Sequence, residues 1–301
     1  MKQRDLLILG DAEWRAYAEQ YNRNLPMCFQ IGGLAIQNYM KEHEITQPDF
    51  TWLQTGLLRP AFQHLCFRHR LDVYSILIAI QGLTTPYDAR YIVSKQDYNN
   101  LMRESDRNNL IPCILPVSID TKKPVEDGVH LIHAQTEEPV QLDNSVRHDQ
   151  VPMSAWEINS MGVQVVIQDL RKEGIERIQY CDVVGIEPQI WFEKDGKRCY
   201  VIVRTTSAGK RNSTFEINKT LLARVADCNG YFADVQLASA SPILRDEFGN
   251  IVPLSKRDGE EDVWLWRGDG FYINYRGIQK LGQAIRENSF IKVVEKPSYG
   301  I

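Results

Sequence analysis

The sequence lacks the cysteine and glycine patterns that mark several common kinds of site. Its six cysteines are scattered, mostly among apolar neighbours, and no Cys-x-x-Cys pair is present. This usage is typical of reduced thiols in a cytoplasm and disfavours a disulfide framework or a zinc site. The P-loop, the Gly-x-Gly-x-x-Gly fingerprint and the Gly-x-Ser-x-Gly motif are also missing. The usual sequence signals for nucleotide binding and for a hydrolase serine are therefore absent.

Long apolar runs and an excess of positive charge are missing as well. No run is long enough to cross a membrane, and the run before Asp11 is too short for a signal peptide. We therefore expect a cytoplasmic protein without a membrane partner. The formal charge of −4 means that any nucleic-acid surface must be a local patch. With 301 residues, 43% of them hydrophobic, the chain suffices for one large or two ordinary domains.

The clearest local pattern lies in residues 187–206, EPQIWFEKDGKRCYVIVRTT. Two apolar runs, Ile190–Phe192 and Tyr200–Val203, flank an Asp195-Gly196 dipeptide. β-branched and aromatic residues on both sides of Asp-Gly predict a β-hairpin.

This hairpin resembles the central hairpin of the PD-(D/E)xK superfamily, which has the restriction-endonuclease-like fold. The resemblance implies Pro-Asp at the start of the first strand and acid-x-Lys near the end of the second. Those carboxylates would hold a divalent metal ion, and the lysine would steady the developing charge. Here the matching positions are Pro188-Gln189 and Ile202-Val203-Arg204. Because isoleucine offers no oxygen to a hard cation, we expect the scaffold without its metal chemistry.

The chain also matches itself at an offset of about 126 residues. Tyr74 falls on Tyr200, and Ile76-Leu77-Ile78 falls on Ile202-Val203-Arg204. After the hairpin the offset drops to about 119, because the first copy has a longer loop. Ser94-x-x-Asp97 then lies over Ser213-x-x-Glu216, and each pattern is typical of a capping box that opens a helix.

We infer an internal duplication of a restriction-endonuclease-like αβββαβ unit, an α/β fold with a mixed α+β sheet. The expected domains are residues 1–149, which include a leading helix to about Leu25, and residues 150–301. The alternative is two unrelated α/β halves. The elements expected in the second copy are a helix at Ser154–Lys172, a strand at Arg177–Val184, the hairpin at Gln189–Thr206, a helix at Phe215–Asn229 and a strand at Tyr231–Ala240.

Carboxylates outside the motif positions offer an alternative metal site in the second copy. Glu157, Asp182 and Glu187 are the candidates, with Arg204 in the role of the lysine and Mg²⁺ as the cofactor. Glu157 also completes a capping box with Ser154, which is the more usual role of this pattern. No metal or other cofactor is expected unless this alternative holds.

Two stretches are candidates for binding. Lys210 and Arg211 follow Arg204 in the loop after the hairpin, which the nuclease resemblance would turn toward a phosphate backbone. The second stretch, Val263–Gln279, is rich in aromatic residues and reads as a hairpin turning at Gly268-Asp269-Gly270. Such residues stack on bases or anchor a protein partner, and they also close a core. The candidates in this stretch are Trp264, Trp266, Arg267 and Tyr272.

Three functions remain open from the sequence. The first is a non-catalytic, pseudo-nuclease binding or assembly module that contacts DNA or RNA through a local basic patch. The second is a divergent metal-dependent nuclease with migrated carboxylates. The third is a regulatory protein that binds another protein through the aromatic C-terminal stretch.

Overall fold

The structure, a computed structural model, describes residues 6–45, 49–53, 64–84, 91–125, 129–140, 142, 151–207, 214–240 and 265–295. These residues form an α+β fold with mixed sheets, in agreement with the expected fold class. The chain divides into two compact units: the described residues up to 142 belong to the first and those from 151 onward to the second. None of the described helices combines the length and apolarity that a bilayer span requires.

Each unit mixes helices with strands. The elements of the first unit are β1 (Leu6–Leu9), α1 (Asp11–Trp14), α2 (Ala18–Glu42), β2 (Phe50–Trp52), β3 (His64–His69), β4 (Asp72–Gln81), β5 (Tyr91–Ser94), α3 (Lys95–Asn108), β6 (Ile111–Ser118), β7 (Lys123–Pro124) and β8 (Ile132–His133). The elements of the second unit are α4 (Ala155–Lys172), β9 (Ile178–Tyr180), β10 (Ile190–Lys194), β11 (Lys197–Ser207), β12 (Phe215–Asn218), α5 (Lys219–Arg224), β13 (Asn229–Ser239), β14 (Phe271–Tyr275), β15 (Gln279–Lys280), α6 (Leu281–Glu287) and β16 (Ile291–Val294).

Strand β4 is the centre of the first unit. It pairs antiparallel with β3 and parallel with β6, and every residue from Asp72 to Ile80 is buried. Burial on both faces is expected of a strand covered by helices on each side. The even-numbered residues from Tyr74 to Ile80 belong to one apolar cluster with Ile36 of α2, whereas Leu77 packs with Leu101 of α3.

The beginning of the chain differs from the expected single helix. Leu6–Leu9 forms β1, which pairs in parallel with β5, and the long helix α2 starts only at Ala18. The prediction was wrong because the apolar run at Leu6–Leu9 finds a distant partner in the buried strand Tyr91–Ser94. Helical spacing further along the chain does not reveal such a pairing.

The first helix of the second unit begins as predicted. The Ser154 hydroxyl accepts a hydrogen bond from the Glu157 amide at 3.2 Å, and the Glu157 carboxylate accepts one from the Ser154 amide at 2.8 Å. This reciprocal capping box confirms the prediction. Helix α4 then packs Val163, Val166 and other apolar residues against one face of the sheet.

The helix predicted at Phe215–Asn229 forms only in part. Phe215–Asn218 forms β12, which pairs in parallel with β16, and only Lys219–Arg224 is helical. The Asn218 side chain caps that helix by accepting a hydrogen bond from the Thr220 amide at 2.8 Å. The capping box predicted at Ser213-x-x-Glu216 is therefore wrong, since Glu216 lies within a strand; Ser213 itself falls outside the described residues.

The two units share one pattern of strand pairing. In both hairpins a residue with a φ of +54°, Arg70 or Asp195, occupies the same place in the turn, 125 residues apart. At this offset of 125 the residue pair Ala79–Pro116 of β4 and β6 corresponds to Arg204–Asp234 of β11 and β13. The offset after the hairpin is thus 118, and the drop of seven residues agrees with the sequence comparison.

The direction of the side chains shows that corresponding hairpin residues of the two units are an odd number of positions apart. Tyr74 packs on the α2 face of its sheet, whereas Tyr200 lies on the face away from α4. The match of Tyr74 with Tyr200 is therefore wrong, since adjacent residues of a strand point to opposite faces. At 125 residues, Ile78 corresponds instead to Val203; Ile78 packs under α2 and Val203 packs under α4.

Candidate functional site

The positions that correspond to the nuclease motif lie together in the second unit but carry no metal ligand. The Gln189 side chain accepts a hydrogen bond from the Val203 amide at 2.9 Å, so it serves the backbone of β11. Ile202 is completely buried in the apolar cluster on the face away from α4. Arg204, two residues further along β11, lies on the same face.

Arg204 is a buried cation with defined neighbours. Its side chain is 4% exposed and lies 3.3 Å from an Asp234 carboxylate oxygen on the parallel strand β13. The guanidinium carbon also lies 4.3 Å from the centre of the Phe290 ring, which is a cation–π arrangement. Asp234 thus balances the charge of Arg204.

A row of polar side chains continues from this ion pair toward the edge of the sheet. Gln236 donates to the Asp234 carboxylate at 3.2 Å, and Asn274 of β14 donates to the Gln236 side-chain oxygen at 3.2 Å. Asp234 and Gln236 are partly exposed, and Asn274 is exposed. We call Arg204, Asp234, Gln236 and Asn274 the polar row. It connects a buried cation to the surface through hydrogen bonds.

Sequence reasoning missed three members of the polar row, Asp234, Gln236 and Asn274. The signal was present in the strand NGYFADVQLAS, where polar Asp234 and Gln236 alternate with apolar Ala233, Val235 and Leu237. A strand in a parallel pair is usually apolar on both faces, so polar residues at every second position mark a face that helices do not fully cover.

The first unit has no polar row at the equivalent place. Ala79 and Pro116 occupy the positions of Arg204 and Asp234. Ser118 and Lys123 occupy those of Gln236 and Asn274. Ala79 and Pro116 are buried. The polar row therefore distinguishes the second unit.

Glu157 and Arg267, predicted for separate roles, bind each other. The Arg267 guanidinium donates to the two Glu157 carboxylate oxygens at 2.8 and 2.9 Å, and both side chains are buried. The same carboxylate closes the capping box of α4. This two-bond pair joins the segment around Arg267 to the start of α4, so Glu157 and Arg267 stabilise the fold and are not exposed to a ligand.

Asp182 is buried against α4, on the opposite face of the sheet from Arg204. Its carboxylate accepts a hydrogen bond from the Ser160 hydroxyl at 2.6 Å, and its backbone carbonyl accepts one from the Asn159 side chain at 2.7 Å. Burial raises the pKa of this carboxyl, while the hydrogen bond from Ser160 acts in the opposite direction. These contacts tie the end of β9 to α4.

Glu187 lies just before the hairpin and is the most perturbed of the candidate carboxylates. Burial raises its pKa from 4.5 to about 7. Its Oε2 atom is buried and has no hydrogen-bond partner among the described residues. A carboxyl group in such surroundings keeps its proton to a higher pH than an exposed one.

The carboxylates do not make a metal centre. Within the part of the chain that the structure describes, no group of three Asp, Glu, His or Cys side chains is arranged to hold a metal ion. Glu157 is paired with Arg267, and Asp182 faces α4 while Arg204 lies on the other face. The donor set therefore does not fit the Mg²⁺ ion that the divergent-nuclease alternative requires.

The aromatic C-terminal hairpin does not form as predicted. Trp266 is 5% exposed and makes an isolated bridge to Pro152, while Phe271–Tyr275 pairs with β13. The hairpin prediction failed because both flanks of its turn bind distant segments instead of each other. Tyr272 is 70% exposed and remains a surface residue. Lys210, Arg211 and Trp264 lie outside the described residues.

The second unit matches a family model. A family model described as a domain of unknown function (DUF8840) matches residues 156–281. The second unit is similar to this family. The matched residues run from α4 to the start of α6 and include the whole polar row. No curated protein and no solved structure matches the chain.

Proposed function

We propose that this protein is a non-catalytic binding or assembly module, built from two restriction-endonuclease-like units that arose by duplication. The element order helix, three strands, helix, strand occurs from α2 to β6 in the first unit and from α4 to β13 in the second, once β5 and β12 are set aside as additions. Their strand pairings correspond at constant offsets of 125 and 118 residues. A shared register of this kind supports a common origin of the two units.

The proposal that the protein is non-catalytic rests on the side chains at the three positions matched to the nuclease motif. The Gln189 amide bonds to the backbone, Ile202 is in the core, and Arg204 is paired with Asp234. A nuclease would need at least two of these positions to direct carboxylates at a metal ion. The side chains present stabilise the hairpin and its junction with β13 instead.

Nucleic acid is the ligand class we propose for the second unit, and a cytoplasmic location is part of this proposal. The nuclease resemblance would orient the loop that contains Lys210 and Arg211 toward a phosphate backbone. All six cysteines are free thiols, which suits a reducing compartment. Cations near phosphates provide affinity without sequence readout.

The test is a cleavage and mobility-shift assay on single- and double-stranded DNA and RNA at low salt, with Mg²⁺ or Mn²⁺ and with chelator. We expect no metal-dependent cleavage and binding that weakens steeply as salt rises. The variant Lys210→Ala/Arg211→Ala should lower the slope of log affinity against log salt by about 2. The matched control Arg107→Ala/Lys122→Ala, which removes two exposed cations from the first unit, should leave that slope unchanged.

Two results would contradict the proposal. Metal-dependent cleavage that is lost in Glu187→Ala would establish a nuclease. Absence of both cleavage and binding would remove nucleic acid as the ligand and leave the protein-binding function.

A further inference from the structure

Among the described strands of the second unit, β14 forms an outer edge of its sheet. In the described part of the chain it pairs with β13 on one side, and it is the last strand of the order β14-β13-β11-β10-β9. Tyr272 is 70% exposed and its neighbour Ile273 is 51% exposed, so both faces of the strand present large apolar side chains. An edge of this kind is a template for pairing with another strand.

The hydrogen bonds on the inner side determine which backbone groups face outward. The Ala240 amide donates to the Gly270 carbonyl at 2.8 Å, so Gly270 belongs to the hydrogen-bonded pairs of the β13–β14 ladder. In an antiparallel ladder these pairs recur at every second residue. Tyr272 and Asn274 thus direct their amides and carbonyls toward β13, whereas Phe271, Ile273 and Tyr275 direct theirs outward.

The first unit has a protected edge at the same place. There Lys123 and Pro124 of β7 pair with β6, in the positions that Asn274 and Tyr275 occupy on β13. A short edge strand with a lysine and a proline is a common protection against unwanted pairing. Strand β14 has five residues, no charge and no proline. Within the described part of the chain, the first unit's edge is therefore protected at this place, and the equivalent edge of the second unit is available for pairing.

The sequence of β14 is suited to pairing with itself. It reads Phe-Tyr-Ile-Asn-Tyr, so an antiparallel pair centred on Ile273 places Ile273 against Ile273 and Phe271 against Tyr275. These are the three residues whose backbone groups face outward, as a hydrogen-bonded register requires. Aromatic residues opposite each other stabilise such a pair, and no like charges meet.

We propose that two copies of this chain form a homodimer by pairing their β14 strands antiparallel about a two-fold axis at Ile273. The strand provides an isologous contact, in which the same surface is used by both copies. The dimer joins two sheets into one continuous sheet. This assignment does not rest on nucleic-acid binding and goes beyond the function proposed above.

Sedimentation equilibrium over a wide range of concentrations tests the dimer. The wild type should approach twice the chain mass of 34.7 kDa as its concentration rises. Ile273→Lys and Ile273→Glu should each raise the dissociation constant at least about tenfold, because like charges would face each other at the axis. An equimolar mixture of the two variants should dimerise again. The control Leu34→Lys, at an exposed apolar residue of α2, should behave as the wild type.

The mixing experiment separates this contact from other causes of association. Ile273 is half exposed, so both charged variants should fold, and circular dichroism with urea unfolding checks this. A monomeric wild type at all concentrations overturns the proposal. Charged variants that dimerise as the wild type does also overturn it, and so does a mixture of the two variants that stays monomeric. Either result would mean that residue 273 does not face its own copy at the dimer axis.

Discussion

At the scale of single residues, Glu187 gives the molecule a response to pH. Its carboxyl loses a proton near pH 4.5 when exposed to solvent, and in the folded protein burial raises the pKa to about 7. Between these values the unfolded chain is ionised while the folded chain keeps its proton. The free energy of unfolding therefore falls as pH rises through this window, and the loss is complete above the folded pKa.

We predict that Glu187→Gln raises the free energy of unfolding at about pH 8 by on the order of 3 kcal/mol and leaves it nearly unchanged at about pH 4. The amide cannot ionise, so it avoids the cost of a buried charge. Urea unfolding of both proteins at the two pH values measures the difference. Glu193→Gln, at an exposed carboxylate of the same hairpin, is the control. An equal effect at both pH values would show that ionisation is not the cause.

At the scale of elements, the contact between α4 and β11 depends on a glycine. A Cβ atom at Gly162 would overlap the Thr205 side chain on β11. The close approach of helix and strand thus requires a residue without a side chain. In α2, a Cβ at Gly32 would lie 2.9 Å from Ile78, whereas one at the adjacent Gly33 would meet only Leu65, at 3.8 Å.

Alanine substitutions at these glycines should have opposite effects. We expect Gly162→Ala to lower the free energy of unfolding by about 1–3 kcal/mol, because overpacking outweighs the gain in helix propensity. Gly33→Ala should leave it unchanged or raise it by up to about 1 kcal/mol, since the helix gains propensity in an ordinary contact. Urea unfolding of the two variants provides the comparison. A stabilised Gly162→Ala would mean that α4 can move away from the sheet at little cost.

At the scale of the whole molecule, each unit has its own core. The apolar clusters around Ile78 and Leu77 contain residues of the first unit alone, and those around Val203 and Ile202 contain residues of the second unit alone. The ion pair of Glu157 with Arg267 also lies within the second unit. A unit that buries its own apolar surface is expected to fold by itself.

We predict that residues 150–301, expressed alone, unfold in one cooperative transition in urea. Tryptophan fluorescence measures this transition. The reason is that both apolar clusters of this unit and its buried ion pair are retained. The fragment of residues 1–149 provides the matched comparison. A broad transition, or fluorescence of an unfolded chain without urea, would show that the second unit needs the first.

The sequence by itself determined those features that depend on neighbouring residues. The Asp195-Gly196 hairpin, the capping box of α4 and the shorter connection after the second hairpin were all readable, because their hydrogen bonds and spacings lie within a few residues of chain. It also showed that the nuclease motif positions lack carboxylates.

Only the tertiary structure decided which distant groups meet. Glu157 and Arg267 lie 110 residues apart, and Arg204 and Asp234 lie 30 apart. The sequence presented the first two as a catalytic acid and a binding cation, but their burial makes them partners, because a buried charge is stable only beside its opposite. Likewise, the odd offset of 125 and the open edge at β14 follow from sheet faces and strand order. Those are set by packing between segments that local patterns do not connect.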